Sequence, residues 1–299
     1  MKHTLKVTIL LVLIFLLAQV IGLAVTNKYI DHEATAETGN VTWTALPYNI
    51  SRPMVEETSS FIYILAAILL GTLIVFLIMK FGKVIWWKIW FFLAISITLV
   101  VAFKSFMPEV IAAILAVVLA GYKIFKPNIF VQNITELFIY GGLAAIFVPI
   151  INLFSVLMLL FLISIYDMIA VWKSKHMISL AKFQTKAKVF AGLLLPYEMP
   201  KKIPKGIPVK KTRIKTAILG GGDIGFPLIF AGVVMKGLML TNPIWLGFLK
   251  TLIITVFTSI ALLILLTASK KDRFYPAMPF LTAGCLVGYG VLLLVNLFV

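Results

Sequence analysis

"KTAILGGGDIGFPLIFAGVVM", residues 215–235, opens on a lysine and then runs for twenty residues with a single charge, Asp223. About twenty predominantly apolar residues are what a helix needs to cross a hydrocarbon layer roughly 30 Å thick. Gly220, Gly221, Gly222, Gly225 and Pro227 loosen that helix from within. The stretch therefore reads as a membrane span with a carboxyl inside it, and both fold and function turn on why the acid is there.

The rest of the chain supports the first half of that reading. Of 299 residues, 62% are hydrophobic and 13% charged, against about 45–50% apolar in soluble domains. Apolar runs of span length recur at roughly 5–25, 60–80, 88–104, 108–122, 130–148, 151–172, 216–235, 243–267 and 276–298. The expected fold class is an all-α polytopic membrane protein with nine transmembrane helices. A barrel would instead alternate in segments of about ten residues. Pro149 breaks the fifth run from the sixth, and Pro243 and Pro276 open the eighth and ninth, where a missing N–H costs little.

The net charge of +16 is no sign of nucleic acid, because the basic residues sit at the ends of the apolar runs, where they set orientation. With the N-terminus inside, 22 of the 27 Lys and Arg fall on the inner side, twelve of them between Lys173 and Lys215. The expected topology has the N-terminus inside and the C-terminus outside. Lys2 and Lys6 before the first run resemble a signal peptide, but the apolar stretch exceeds the 7–15 residues of a signal core, so the helix reads as retained. The outer loop 26–59 is polar and holds two glycosylation-type sequons, at Asn40 and Asn49. Cys285 is a lone cysteine in an apolar run and reads as packing.

Three parts follow: a six-helix part at 1–172, a cytoplasmic basic loop at 173–215, and a three-helix part at 216–299. In the loop, Ile178, Ala181 and Phe183 among Lys175, Lys182, Lys186 and Lys188 predict an amphipathic helix on the inner leaflet. Pro200, Pro204, Gly206 and Pro208 exclude regular helix beyond it, and Val209–Ile214 reads either as a strand able to pair with an extended substrate segment or as a basic loop that contacts only lipid headgroups.

Only three acids lie well inside the apolar runs: Glu136, Asp167 and Asp223. An ionisable group there costs several kcal/mol and marks function by default. Glu136, beside Asn133 and Thr135, reads first as paired with a polar neighbour. Asp167 lies six residues before Lys173 on a descending helix, and Asp223 eight residues after Lys215 on an ascending one. At 1.5 Å per residue both carboxyls sit roughly 9–12 Å from the inner helix ends. Two carboxyls close together in low dielectric cannot both ionise, so the pair shares a proton near neutrality. Such a pair can hydrolyse peptides: one member takes a proton from water while the other polarises the scissile carbonyl. The alternative from another class is a cation channel or transporter using the same acids as a conduction site.

Other chemistries lack their parts. There is no H-E-x-x-H for zinc, and His3, His32 and His176 all lie outside the deep spans, which removes the base of a membrane Ser–His pair. Gly220-x-Gly222-x-x-Gly225 matches a dinucleotide fingerprint, but no βαβ unit surrounds it and Asp223 would repel phosphate.

Tyr166-Asp167 on the sixth helix, Gly220-Gly221-Gly222-Asp223 on the seventh and Pro276-Ala277-Met278 opening the ninth resemble the presenilin and signal peptide peptidase family of intramembrane aspartyl proteases. Its hallmarks are Tyr-Asp, Gly-x-Gly-Asp and Pro-Ala-Leu in that order. The resemblance implies that Asp167 and Asp223 are catalytic. It implies that Tyr166, Gly220, Gly221 and Gly222 shape the site, and that Pro276, Ala277 and Met278 help hold substrate. Met278 departs from the usual leucine. The inferred orientation resembles presenilin, and a small single chain of this kind looks like an archaeal presenilin homologue in the cell membrane. The implied partners are transmembrane-helix protein substrates and the lipid bilayer. No metal, organic cofactor, nucleic acid or accessory subunit is implied, and a homo-oligomer is compatible with the sequence.

Overall fold

A computed structural model of the chain describes residues 4–81, 84–174, 176–187, 189–197, 216–269 and 275–298. The elements in order are α1 (Leu5–Lys28), β1 (Ile30–Asp31), α2 (His32–Thr38), β2 (Thr42–Trp43), α3 (Ser60–Phe81), α4 (Val84–Lys104), α5 (Glu109–Phe125), α6 (Ile129–Phe147), α7 (Leu153–Met168), α8 (His176–Ala187), β3 (Gly192–Pro196), β4 (Thr216–Gly220), α9 (Gly221–Leu238), α10 (Ile244–Ala268) and α11 (Met278–Phe298). Among the described residues, eight helices are long and apolar enough to cross a membrane: α1, α3, α4, α6, α7, α9, α10 and α11. α5, at 17 residues, is shorter.

Two apolar clusters organise the bundle. The larger joins α1, α6, α7, α9, α10 and α11 around Phe15, Leu160, Leu228 and Phe230. The smaller joins α4, α5 and α6 around Leu99, Ala116 and Ile139. Helices in lipid gain no hydrophobic drive from one another, so close packing over small residues holds them together. α6 shows this most sharply. A Cβ on Gly142 would lie 2.0 Å from the Thr98 carbonyl oxygen of α4, and one on Gly141 would lie 3.1 Å from the Gly22 Cα of α1.

α1 is a working member of this bundle. A Cβ on its Gly22 would lie 2.3 Å from Leu228 of α9. Gln19, buried in the middle of α1, donates from Nε2 to the Ile224 carbonyl at 2.8 Å. That bond ties α1 to the helix that carries Asp223.

The segment after α7 differs from expectation in two ways. α8 forms, but its Leu180 and Phe183 pack against α4, with the Phe183 ring 6.1 Å from the Trp87 ring. The side chains of Ile178 and Ala181, and Val209–Ile214, lie outside the described residues. The predicted seventh span also starts too early. Residues 216–220 are β4, paired antiparallel with β3 from Gly192↔Gly220 to Pro196↔Thr216. An apolar run satisfies its backbone either by coiling or by pairing, and here β3 supplies the pairing.

Candidate active site

Asp167 stands near the C-terminal end of α7 and is buried. Just beyond it the helix widens into a π-helical turn, Ile169–Lys173, closed by the Ser174 N–H donating to the Ile169 carbonyl at 2.9 Å. Such widened turns concentrate at functional sites. The carboxyl is held from another element. Oδ2 accepts from the Met278 backbone N–H at 3.1 Å, and the Ala277 N–H faces the same carboxyl. These are first-turn amides of α11, which have no partner inside their own helix. Asp167 supplies one, at the end of the helix where a negative charge is favoured.

Asp223 is the third residue of α9, with Gly220 as the extended N-cap, at φ −66° and ψ 149°. The Gly220 N–H faces the Asp223 carboxyl. An acid at the third helical position is placed to reach the N-cap amide, as in a capping box. A Cβ on Gly220 would sit 3.2 Å from Asp223 Oδ2. Gly221 donates its N–H to the Ala191 carbonyl at 3.1 Å, and a Cβ there would lie 2.8 Å from the Tyr140 hydroxyl. Gly222 is exposed, and a Cβ on it would meet only the Phe226 ring, at 3.4 Å.

Both carboxyls line one cavity of about 1520 Å³. Gly220, Gly221, Gly222, Ala277, Tyr140 and Glu136 share its wall. The volume exceeds the ~300–1,000 Å³ of small-molecule pockets. Polar side chains of α6, α7 and α9 therefore converge on a space with room for a polypeptide segment.

The family model for signal-peptide peptidase, presenilin aspartyl protease matches residues 7–297. The chain belongs to this family. A solved structure described as a presenilin family intramembrane aspartate protease in the C222 space group superposes with a TM-score of 0.61 at 19% identity, covering 95% of this chain and 97% of that one. A second, in the P2 space group, gives 0.61 at 18% identity, covering 95% and 96%. No curated protein matches. Together with the apolar helices, these likenesses mark a multi-pass integral membrane protein and an intramembrane aspartyl protease of the presenilin and signal peptide peptidase kind.

Within this presenilin-family protease the remaining motif residues fall in different places. Tyr166 is half-buried on α7 and is not part of the cavity wall, whereas Tyr140 of α6 is. The Met278 side chain is 3% exposed and packs into the larger core cluster, while its backbone faces Asp167. Pro276 has no N–H to give, so Ala277 is the first of this motif that can donate.

Glu136 does pair, but with a partner that sequence reasoning placed at a helix end. Lys123 of α5 is buried and donates from Nζ to Glu136 Oε1. Gln132 donates to the same oxygen at 3.0 Å, and the Tyr140 hydroxyl donates to Oε2. The available signal was that a buried acid on α6 needs a cation, and α5 ends nearby with Lys123 and Lys126.

Proposed function

We propose that this chain is an intramembrane aspartyl endopeptidase of the GxGD type, with Asp167 and Asp223 as its catalytic dyad. The observation that carries the reading is the shared cavity, whose wall holds both carboxyls, Asp167 accepting from the Met278 amide at the start of α11 and Asp223 facing the N-cap amide of α9. One ionised carboxyl takes a proton from a water molecule as its oxygen attacks the scissile carbonyl carbon. The protonated carboxyl gives its proton to the carbonyl oxygen, forming a tetrahedral diol. Collapse expels the amine, which leaves with a proton from the dyad. The roles of the two acids can exchange.

The substrates are transmembrane helices unwound locally before cleavage, since helical amides are hydrogen-bonded and shielded. Gly222 leaves the cavity wall bare beside Asp223, which leaves room for a substrate backbone. β4 supports capture: among the described residues only β3 pairs with it, and Ile218 and Leu219 line the cavity. A second strand edge there suits an extended substrate segment whatever its side chains. We further propose that α5 completes a nine-helix topology with the N-terminus inside, in the cell membrane, and that the parts 1–172, 173–215 and 216–299 act as first-acid half, basic loop and second-acid half.

Reconstitution with a generic transmembrane substrate tests this reading. Asp167→Ala, Asp223→Ala and the double variant should each abolish product while the protein stays folded, the double being no worse than either single. Cleavage near the parent rate by either single variant would sink the dyad. A cation channel would instead pass ions without substrate and tolerate Asp→Glu.

A further inference from the structure

We propose that Lys123, Glu136, Gln132 and Tyr140 form a positioning device that fixes the strand-to-helix turn carrying Asp223. The proposal rests on the reading of Asp223 as half of the dyad. None of the four belongs to the motifs of the sequence, and none bonds to either dyad acid.

The set is deeply buried. The Lys123 and Glu136 side chains are each 2% exposed, and Glu136 takes three donors, from Lys123, Gln132 and Tyr140. A buried ion pair is seldom more stable than apolar residues of the same size, so a role in fixing geometry is the better reason for one. Two arms lead from this pair to the Asp223 turn.

The first arm is Tyr140. Its hydroxyl, held by Glu136 one helical turn away, lies against Gly221, where a Cβ would approach to 2.8 Å. The second arm is β3. Gln132 Nε2 also reaches the Phe190 carbonyl at 2.9 Å and the Gly192 carbonyl at 2.8 Å. The neighbouring Asn133 grips Leu194 both ways, donating to its carbonyl at 2.8 Å and accepting from its N–H at 2.9 Å. One edge of β3 is thus fastened to α6 side chains and the other to β4, which runs directly into Gly221. The Gly221 N–H closes the loop on the Ala191 carbonyl. Asp223, two residues on, takes its position from this frame.

Full-length protein in detergent micelles tests the proposal with two readouts. Tyr140→Phe removes one hydroxyl and leaves the ring. It should lower kcat for a transmembrane substrate by about 10- to 100-fold with KM within about twofold. Amide exchange in peptides covering 189–197 and 216–222 should speed up by about tenfold or more, with α10 and α11 unchanged. Lys123→Met with Glu136→Gln removes both charges together and keeps one acceptor oxygen for Tyr140, while Gln132 keeps its two β3 carbonyls. It should lower kcat by less than Tyr140→Phe does, because Tyr140 keeps its partner. Parent kcat and parent exchange in Tyr140→Phe, or a lowered Tm with parent kcat, would overturn the proposal. So would a double variant as impaired as Tyr140→Phe. Repeating the exchange measurement in Asp223→Ala protein reads the frame apart from proteolysis, so an error about the dyad is not mistaken for an error about its support.

Discussion

Met278 separates what a backbone does from what a side chain does. Its N–H donates to Asp167 Oδ2 at 3.1 Å, while its side chain is packed in the core away from the cavity. Met278→Pro removes the N–H at the first position of α11, where proline's fixed φ fits and no intrahelical bond is lost. A hydrogen bond to a charged group contributes about 1.5–3 kcal/mol. If that hold acts on the reacting geometry, the proline variant should lose about 10- to 150-fold in rate. Asp167 keeps the Ala277 N–H, so the loss stays short of the dyad knockout. Met278→Ala is the control for volume. It keeps the amide, costs about 2–5 kcal/mol of stability through the cavity it opens, and should leave cleavage per folded molecule near the parent. Met278→Leu, which restores the family's usual residue, should shift stability by less than about 1.5 kcal/mol and leave the products unchanged. The assay is cleavage of a transmembrane substrate with products read by mass, normalised to the folded fraction from a thermal melt. Parent rates in folded Met278→Pro would refute the backbone hold, and a changed cleavage position in Met278→Leu would put the side chain against substrate.

Three other outcomes are expected. A dyad sharing one proton gives a bell-shaped pH–rate profile, so activity that stays flat from acid into strong alkali contradicts it. Gly221→Ala pushes a methyl into the Tyr140 hydroxyl at 2.8 Å. Combining it with Tyr140→Phe should therefore be no worse than either change alone, whereas simple additivity would mean the two do not share a contact. A tag near Gly206 should be protected in sealed right-side-out vesicles and one after Val299 accessible, with the reverse pattern inverting the proposed topology.

Sequence and structure agree where hydrocarbon dictates the answer. A layer of fixed thickness demands apolar runs of fixed length, so α3, α4 and α10 fall within a few residues of expectation. They part where the answer is non-local. Thr216–Gly220 is as apolar as a helix start, and only the presence of Gly192–Pro196, more than twenty residues earlier, makes it a strand. Lys123 reads as a topology marker at a helix end because hydropathy does not report where a side chain points. The amide donors of Ala277 and Met278 were out of reach for a simpler reason: every residue but proline carries one.

The same distinction bears on how the two acids come to share a cavity. Matched depth assumes a helical rise along both segments, yet five of the residues between Lys215 and Asp223 are extended, and each advances about 3.3 Å where a helix advances 1.5 Å. Depth counting alone therefore does not bring the carboxyls together. Helix N-termini do. Asp223 faces the N-cap amide of its own helix, and Asp167 accepts from the Met278 amide that opens α11, so one cavity wall is built from two helix starts. This explains the residue types around the acids better than side-chain chemistry could. Gly220 and Gly221 are small because a Cβ would crowd Asp223 or Tyr140. Pro276 and Pro279 flank the donors without competing for the carboxyl, having no N–H themselves. Main-chain amides neither titrate nor depend on the side chain they precede. A site held by them tolerates methionine at 278, provided the core behind it stays filled and the backbone stays where α11 begins.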